Sequence, residues 1–368
     1  MNLPFLDLTR QYKALKKELD PAIQGVVESG HYIGGPEVEQ FEKELARYCG
    51  VKYGVGMGSG TDALLACLMA MGIEEGDEVI TSPFTFIATA EVICFLKAKP
   101  VFVDIEGDTF NLDPDLLKSK ISRRTKCIIP VHLFGHMADM ERILEVAGEH
   151  GLMVLEDSAQ AVGASINGKG ACGYGEAGCL SFFPAKNLGA LGDGGMILTN
   201  NEKIGKKAAM VKNHGSCRRY YHSVIGFNGR LDALQAAILR VKLRHLESWN
   251  EMRRATASYY NSVLKDYVKV PAEREGYRHV YHQYSILADD RDRLAAHLKE
   301  RGVPTAIYYP LPLHLQEVFG EFGYRTGDFP VTEEVSEKIL SLPIFPELTE
   351  KERKMVAEAV VDFFESKE

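Results

Sequence analysis

Residues 178–200 read GCLSFFPAKNLGALGDGGMILTN. Two apolar runs, GCLSFF and GGMILTN, have the length and the aliphatic and aromatic content of strands. The link between them carries glycines 189, 192, 194 and 195 and is too short for the crossover that joins parallel strands. One of the two strands is therefore expected to run antiparallel. The link also holds a lone lysine, Lys186, where a buried-looking strand meets a glycine-rich turn. Burial disfavours an ammonium and pulls its pKa down. Such a lysine is either a surface charge past a strand end or an amine kept partly neutral to attack a carbonyl. Nothing local decides between them.

Working outward, the region from about residue 50 to residue 200 alternates short apolar runs with helical periodicity. DEVITS, KPVFVDI, TKCIIPVHLFG and LMVLEDS read as further strands. GTDALLACLMAMGI, TFIATAEVICFLKA, DPDLLKSKI and DMERILEVAGEHG read as helices, the last with Asp139 near its start and Gly151 past its end. Strands apolar on both faces, alternating with helices, predict an α/β fold with a mostly parallel central sheet flanked by helices. A helical pattern of more than 30 residues begins near Leu231 and is expected to bridge two domains. HVYHQYSILA then reads as a strand and DRDRLAAHLKERG as a capped helix. The expected division is a large domain over residues 1–245 and a smaller C-terminal α+β domain over 246–368.

The 368 residues suit two domains, and a net charge of −8 disfavours a nucleic-acid partner. No apolar run approaches the ~20 residues of a membrane-spanning helix, and no signal peptide is visible. Seven cysteines without a C-x-x-C pair read as buried, reduced thiols of a cytoplasmic protein. His132 and His136 span a glycine and lack the glutamate of a helical zinc motif, so no metal is expected; they read as ordinary polar or substrate-facing histidines.

Ligands of open α/β sheets bind at the C-terminal ends of the strands. Three groups fall there. VGMGSGTDALL brings glycines 56, 58 and 60 into a helix start at Thr61, which makes a phosphate or carboxylate site or a mere tight turn. LMVLEDSAQAVG places Glu156, Asp157 and Gln160 after a strand, as a site acid or as helix caps. Ser181 and Lys186 share the third strand end. A phosphate cradle, an acid and a lysine amine are together what pyridoxal 5′-phosphate requires.

GTDAL, TFIATA, PVHLFG, EDSAQAVGA, SFFPAKNLGALGDGG, NHG, GFNGRLDALQAAIL and YYPLPLHLQ occur in this order within about residues 5 to 345. In them the chain resembles the sugar aminotransferases of the DegT/DnrJ/EryC1/StrS group, in the fold-type I superfamily of pyridoxal phosphate enzymes. The resemblance implies that Lys186 holds the cofactor covalently and that Asp157 pairs with the pyridine nitrogen. It implies Gln160 beside the ring hydroxyl and Phe86 stacked on the ring face. Gly60, Thr61 and Ser181 would hold the phosphate, and Asn228 would reach it from the second subunit of a homodimer with shared sites. The implied substrates are L-glutamate and a nucleotide-linked keto-sugar, in amino-sugar synthesis for O-antigen or another glycan.

The blocks NHGSCRRYYHSVIGFNGRLDALQ and GDEVITSPFTFIATAEVI are most similar to the branch that aminates C3 of UDP-3-keto-2-acetamido-2-deoxyglucuronate. Arg219, Arg230, Tyr309 and His314 are the implied substrate contacts, with Arg218 beside them; a solvated loop is the other reading of RRYYH. His314 is not constant in that branch, which leaves a dTDP-linked 3-keto- or 4-keto-6-deoxy sugar open. A dehydratase branch replaces the lysine, typically with histidine, so Lys186 favours transamination. A regulatory or sensor role is opposed by Lys186, by Asp157 and by the lack of a basic DNA-binding segment.

Overall fold

The computed structural model describes residues 3–366. The central sheet has seven strands: β1 (Tyr53–Met57), β2 (Glu78–Thr81), β3 (Lys99–Phe102), β4 (Thr125–Ile129), β5 (Met153–Asp157), β6 (Ala177–Ser181) and β7 (Gly195–Thr199). Their spatial order is β3-β2-β4-β5-β6-β7-β1. Only β7 runs against the rest, antiparallel to both β6 and β1, as the short glycine-rich link requires. Its register sets Gly195 opposite both Ser181 and Met57.

The helices are α1 (Leu8–Ser29), α2 (Pro36–Tyr48), α3 (Gly60–Met71), α4 (Ala88–Phe95), α5 (Met140–His150), α6 (Glu202–Val211), α7 (Ala233–Leu243), α8 (Leu246–Leu264), α9 (Arg291–Glu300), α10 (Pro330–Lys338) and α11 (Glu350–Glu365). Successive strand residues enter opposite cores, as the pleat dictates. Cys127, Leu155, Cys179 and Ile197 pack with α3, α4 and α6, whereas Ile128 and Val154 meet α5, and Leu180, Met196 and Leu198 meet α2 and α7. This two-sided burial is why the strands read as unbroken apolar runs. Helix α5 begins and ends as expected: Asp139 accepts from the Arg142 amide at 3.2 Å and Gly151 takes the left-handed conformation at φ +65°. DPDLLKSKI forms a 3₁₀ helix over Pro114–Lys120.

The single long helix expected from Leu231 onward is two helices. The chain turns at Arg244 and His245, whose amides bond three residues back to Val241 and Lys242. Both side chains reach Glu18 of α1, at 2.9 and 3.1 Å, and the His245 ring stacks on Trp249. Helix α7 fills the sheet's core, while α8 carries Ala257, Tyr260 and Leu264 into a second one. Apolar periodicity continues through such a break because each half still buries a stripe. The second core joins α8, α9 and α11 to a two-stranded antiparallel sheet, β8 (Tyr284–Leu287) with β9 (Ile339–Leu342). Leu3 packs in it too, and Arg10 pairs with Glu352 of α11 at 2.7 Å, so the chain's start lies against its C-terminal core.

All seven cysteines are free; five are buried, Cys94 is half-buried and Cys217 is exposed. Among the described residues, no helix is long and apolar enough to cross a membrane.

Candidate active site

A cavity of about 400 Å³ opens at the strand ends where β1, β5 and β6 stop. Gly60, Thr61, Phe86, Asp157, Gln160, Ser181 and Lys186 all line it, and His282, Gln283, Tyr308 and Tyr309 enter it from the C-terminal part of the chain.

The start of α3 forms one wall. Ser59 caps the helix by accepting from the Asp62 amide at 3.0 Å. A Cβ on Gly60 would lie 2.7 Å from Ser181 Cβ, and one on Gly195 would lie 2.2 Å from the Ser59 carbonyl oxygen. Glycine at both positions lets the helix start close down on the end of β6. Unpaired amides at a helix start attract an anion, here beside the Thr61 and Ser181 hydroxyls.

The two adjacent acids separate because a strand alternates its faces. Glu156 is fully buried on the far side. It accepts from the amides of Cys172, Tyr174 and Gly175 at 2.9, 2.7 and 2.8 Å, and from His132 Nε2 at 2.9 Å. Asp157 faces the cavity and accepts from Thr89 Oγ1 at 2.7 Å and from the Ala159 amide at 3.2 Å. Burial raises its pKa above the usual carboxylate value, against those hydrogen bonds and the charge of Lys186. Lys186, on the loop after β6, is half-buried and has its pKa lowered to about 8 by desolvation, with Asp157 opposing.

Gln160 is held in place: its Oε1 accepts from the Phe134 amide at 2.6 Å and its Nε2 donates to Tyr309 Oη at 3.3 Å. Phe86 stands in the cavity wall with 57% of its surface exposed, free to cover a planar ligand. Of the two readings of His132 and His136, the ordinary polar one fits the structure. His132 holds Glu156, and His136 stacks on Tyr277 with its pKa pushed down to about 4 by burial; neither faces the cavity. His314 is also turned away, buried against Phe329 with its Nε2 on Glu333 of α10 at 3.0 Å. Arg219 lies on an exposed hairpin, stacked on Tyr220. Arg230 donates to Asn213 at 2.8 Å, Asn228 is exposed, and none of the three lines this chain's own cavity. Among the described residues, no cluster of three or more His, Cys, Asp or Glu side chains is placed to hold a metal.

Residues 13–361 match the DegT/DnrJ/EryC1/StrS aminotransferase family. The chain belongs to that family. It is 50% identical over 99% of both chains to a "pleiotropic regulatory protein" of Geobacillus stearothermophilus. It is 43% identical to the UDP-N-acetyl-3-dehydro-α-D-glucosamine 3-aminotransferase of Acidithiobacillus ferrooxidans, over 97% of each. To the UDP-2-acetamido-2-deoxy-3-oxo-D-glucuronate aminotransferase of Pseudomonas aeruginosa it is 42% identical, over 98% of this chain and all of the other. Among solved structures it superposes on S. venezuelae DesV, determined in complex with a ketimine intermediate, with a TM-score of 0.97, 40% identity and 98% coverage of each. The aminotransferase thus has the fold-type I architecture, is a sugar aminotransferase and uses pyridoxal 5′-phosphate.

The cavity fits that cofactor on its own chemistry: a glycine-walled anion site, a buried acid and a desolvated amine line one cavity. Sequence reading missed Thr89, His282, Gln283 and Tyr308. Thr89 and Tyr308 lay within the quoted TFIATA and YYPLPLHLQ motifs without a role; His282 and Gln283 sat in a run read only as a strand.

Exchanging each acid separates their roles. In Glu156→Gln, an NH₂ group must face the Cys172 amide or the amides of Tyr174 and Gly175, donor against donor. The loss is about 3 kcal/mol, seen as a Tm lowered by roughly 5 °C. Asp157→Asn keeps its Tm within a degree or two while transamination falls by about 100-fold or more. Equal effects of the two changes on Tm and rate would contradict this division.

Proposed function

We propose that this aminotransferase moves the amino group of L-glutamate to C3 of a nucleotide-linked 3-keto sugar. UDP-3-keto-2-acetamido-2-deoxyglucuronate is the first candidate, in cytoplasmic synthesis of an amino sugar for O-antigen or another glycan. The observation that carries the reading is the single cavity in which the α3 start, Asp157 and Lys186 meet. The two relatives named for amination of a 3-oxo carbon support C3; one name carries the glucuronate and the other a neutral glucosamine.

Pyridoxal 5′-phosphate supplies the aldehyde that accepts and releases the amino group, and a ring that takes up the electron pair left when a proton departs. Lys186 would hold the aldehyde carbon and, once released, move the proton at the sugar carbon. Asp157 would keep the ring nitrogen protonated, Gly60, Thr61 and Ser181 would bind the phosphate, and Phe86 would cover the ring. Gln160 and Tyr309, already bonded to each other, would border the ring hydroxyl and the sugar. Residues 1–245 would form the cofactor domain and 246–368 the smaller one.

Among the described residues, Lys186 is the one lysine or arginine lining the cavity. The carboxylates of glutamate and of a uronate sugar therefore need a cation from elsewhere. This supports a homodimer in which Asn228 reaches the phosphate and Arg230, with Arg219 behind it, reaches substrate in the partner's site.

Three measurements test these assignments. Lys186, with Asp157 and His282 facing it, should capture the cofactor from solution at a rate that rises with pH and levels off above about 8. A midpoint near the ordinary 10.5 would put the amine in water instead. Second, in a screen of UDP- and dTDP-linked 3-keto and 4-keto sugars with L-glutamate, amination is expected at C3 and fastest on the UDP-glucuronate compound. Exclusive turnover of 4-keto sugars would overturn the C3 reading, and no turnover with any sugar would favour a regulatory role. Third, Lys186→Ala and Asn228→Ala chains refolded together in equal amounts should recover about a quarter of wild-type activity, since half the dimers are mixed and each has one intact site. No recovery, with mixed dimers present, would place Asn228 outside the partner's site.

A further inference from the structure

The residue after the lysine, Asn187, is 4% exposed and uses all of its polar side chain. Its Nδ2 donates to Asn250 Oδ1 of α8 at 2.9 Å and to the Val280 carbonyl at 3.0 Å. With both amide hydrogens committed, Oδ1 must be the acceptor for His282 Nδ1, which lies at 3.2 Å. That fixes the tautomer: the imidazole proton sits on Nδ1. Asn250 is fully buried and is itself anchored, donating to the Val162 carbonyl at 3.2 Å. Farther along the same loop, the buried Lys242 amine donates to the Gly189 carbonyl at 2.6 Å and Gln235 accepts from the Leu191 amide at 2.9 Å. A Cβ on Gly189 would stand 2.2 Å from the Pro184 carbonyl oxygen, so the loop folds tightly on itself as well.

These bonds reach the loop from α7, α8 and the segment leading into β8, whereas Lys186 Nζ makes no hydrogen bond among the described residues. The backbone beside the lysine is thus fixed while its amine stays free for chemistry. We propose that His282 is a positioning residue: its Nδ1–H, donated to Asn187, holds the Lys186 loop so that the amine stays inside the cavity. Burial and the nearby charges of Lys186 and Arg253 keep the imidazole neutral, so the single Nδ1 proton persists at physiological pH. Loss of the bond would leave the Asn187 carbonyl oxygen buried without a donor, and the loop would relax toward water.

This rests on Lys186 being the residue that captures the cofactor, so Lys186→Ala is the control. If that variant, full-length and stripped of cofactor, still develops the absorbance of covalently held pyridoxal phosphate, the lysine assignment fails whatever His282 does. The test of the tether compares two substitutions by the same stopped-flow readout in the full-length chain. Asparagine places its Nδ2 where histidine has Nδ1, so His282→Asn keeps the donor; glutamine reaches the Nε2 position, so His282→Gln removes it. His282→Gln and Asn187→Ala should slow capture at least tenfold and raise its pH midpoint above the wild-type value, and the double variant should be no worse than either alone. His282→Asn should stay within about threefold of wild type. A purely structural loss would lower Tm without moving the pH midpoint, and that result overturns the proposal. So does wild-type behaviour of His282→Gln, or a larger defect in His282→Asn than in His282→Gln, which would shift the role to Nε2. Should Asn187→Ala fail to fold, the two His282 variants decide the matter between them.

Discussion

Keeping one amine out of water is the constraint on which the rest of the site depends. A lysine resists burial because its charged form loses hydration, and the chain answers with rigidity on every side. Glycine at 60 and 195 lets a helix start and a strand end close together, and the antiparallel β7 exists to bring Gly195 level with Ser181. Asp157 is set opposite the amine without pairing with it, since its hydrogen bonds go to Thr89 and the Ala159 amide. A direct ion pair would lock the lysine as an ammonium. Desolvation is what lowers the amine's pKa to about 8, and leaving Asp157 unpaired with it limits the opposing pull.

Glu156 shows how a second charge serves the same end from behind the sheet. Its two oxygens gather three backbone amides from residues 172–175 and the His132 ring, which pins the segment entering β6 to the C-terminal end of β5. With the strand's inner face fixed, Asp157 has little choice of direction. The pair therefore divides into one acid that shapes the strand and one that faces the cavity.

Much of this was legible in the sequence because it is written locally. Alternating apolar runs revealed the sheet and the short glycine link revealed the reversed strand; Lys186, Asp157, Gly60, Thr61, Ser181 and Gln160 fell at strand ends, Phe86 came from the family resemblance alone, and all seven line one cavity. What stayed hidden depends on partners distant in sequence. Periodicity alone could not show that Arg244 and His245 break a helix to meet Glu18, nor that His314 turns toward Glu333. The residues alone left the acid pair undivided; the family resemblance singled out Asp157, and the strand's faces supply the physical reason. His282 lies 95 residues from the asparagine it touches, and nothing near either residue announces the contact.

The same geometry separates chemistry from selectivity. Gly60, Thr61, Ser181 and Asp157 stand on a helix start and strand ends, where backbone hydrogen bonds leave little freedom, and Lys186 stands on a loop held by buried hydrogen bonds. Groups that enter from the C-terminal part, such as Gln283 and Tyr308, and the arginines of the exposed hairpin near residue 218, stand on connecting segments. Connecting segments tolerate change that strands do not. A chain built this way can keep one amino-transfer apparatus while the sugar it accepts drifts, provided the buried hydrogen bonds that tie those segments to the lysine loop and to Gln160 survive. Tyr309 on Gln160 and His282 on Asn187 are two such ties. They let the variable half of the molecule be remodelled without loosening the half that does the chemistry.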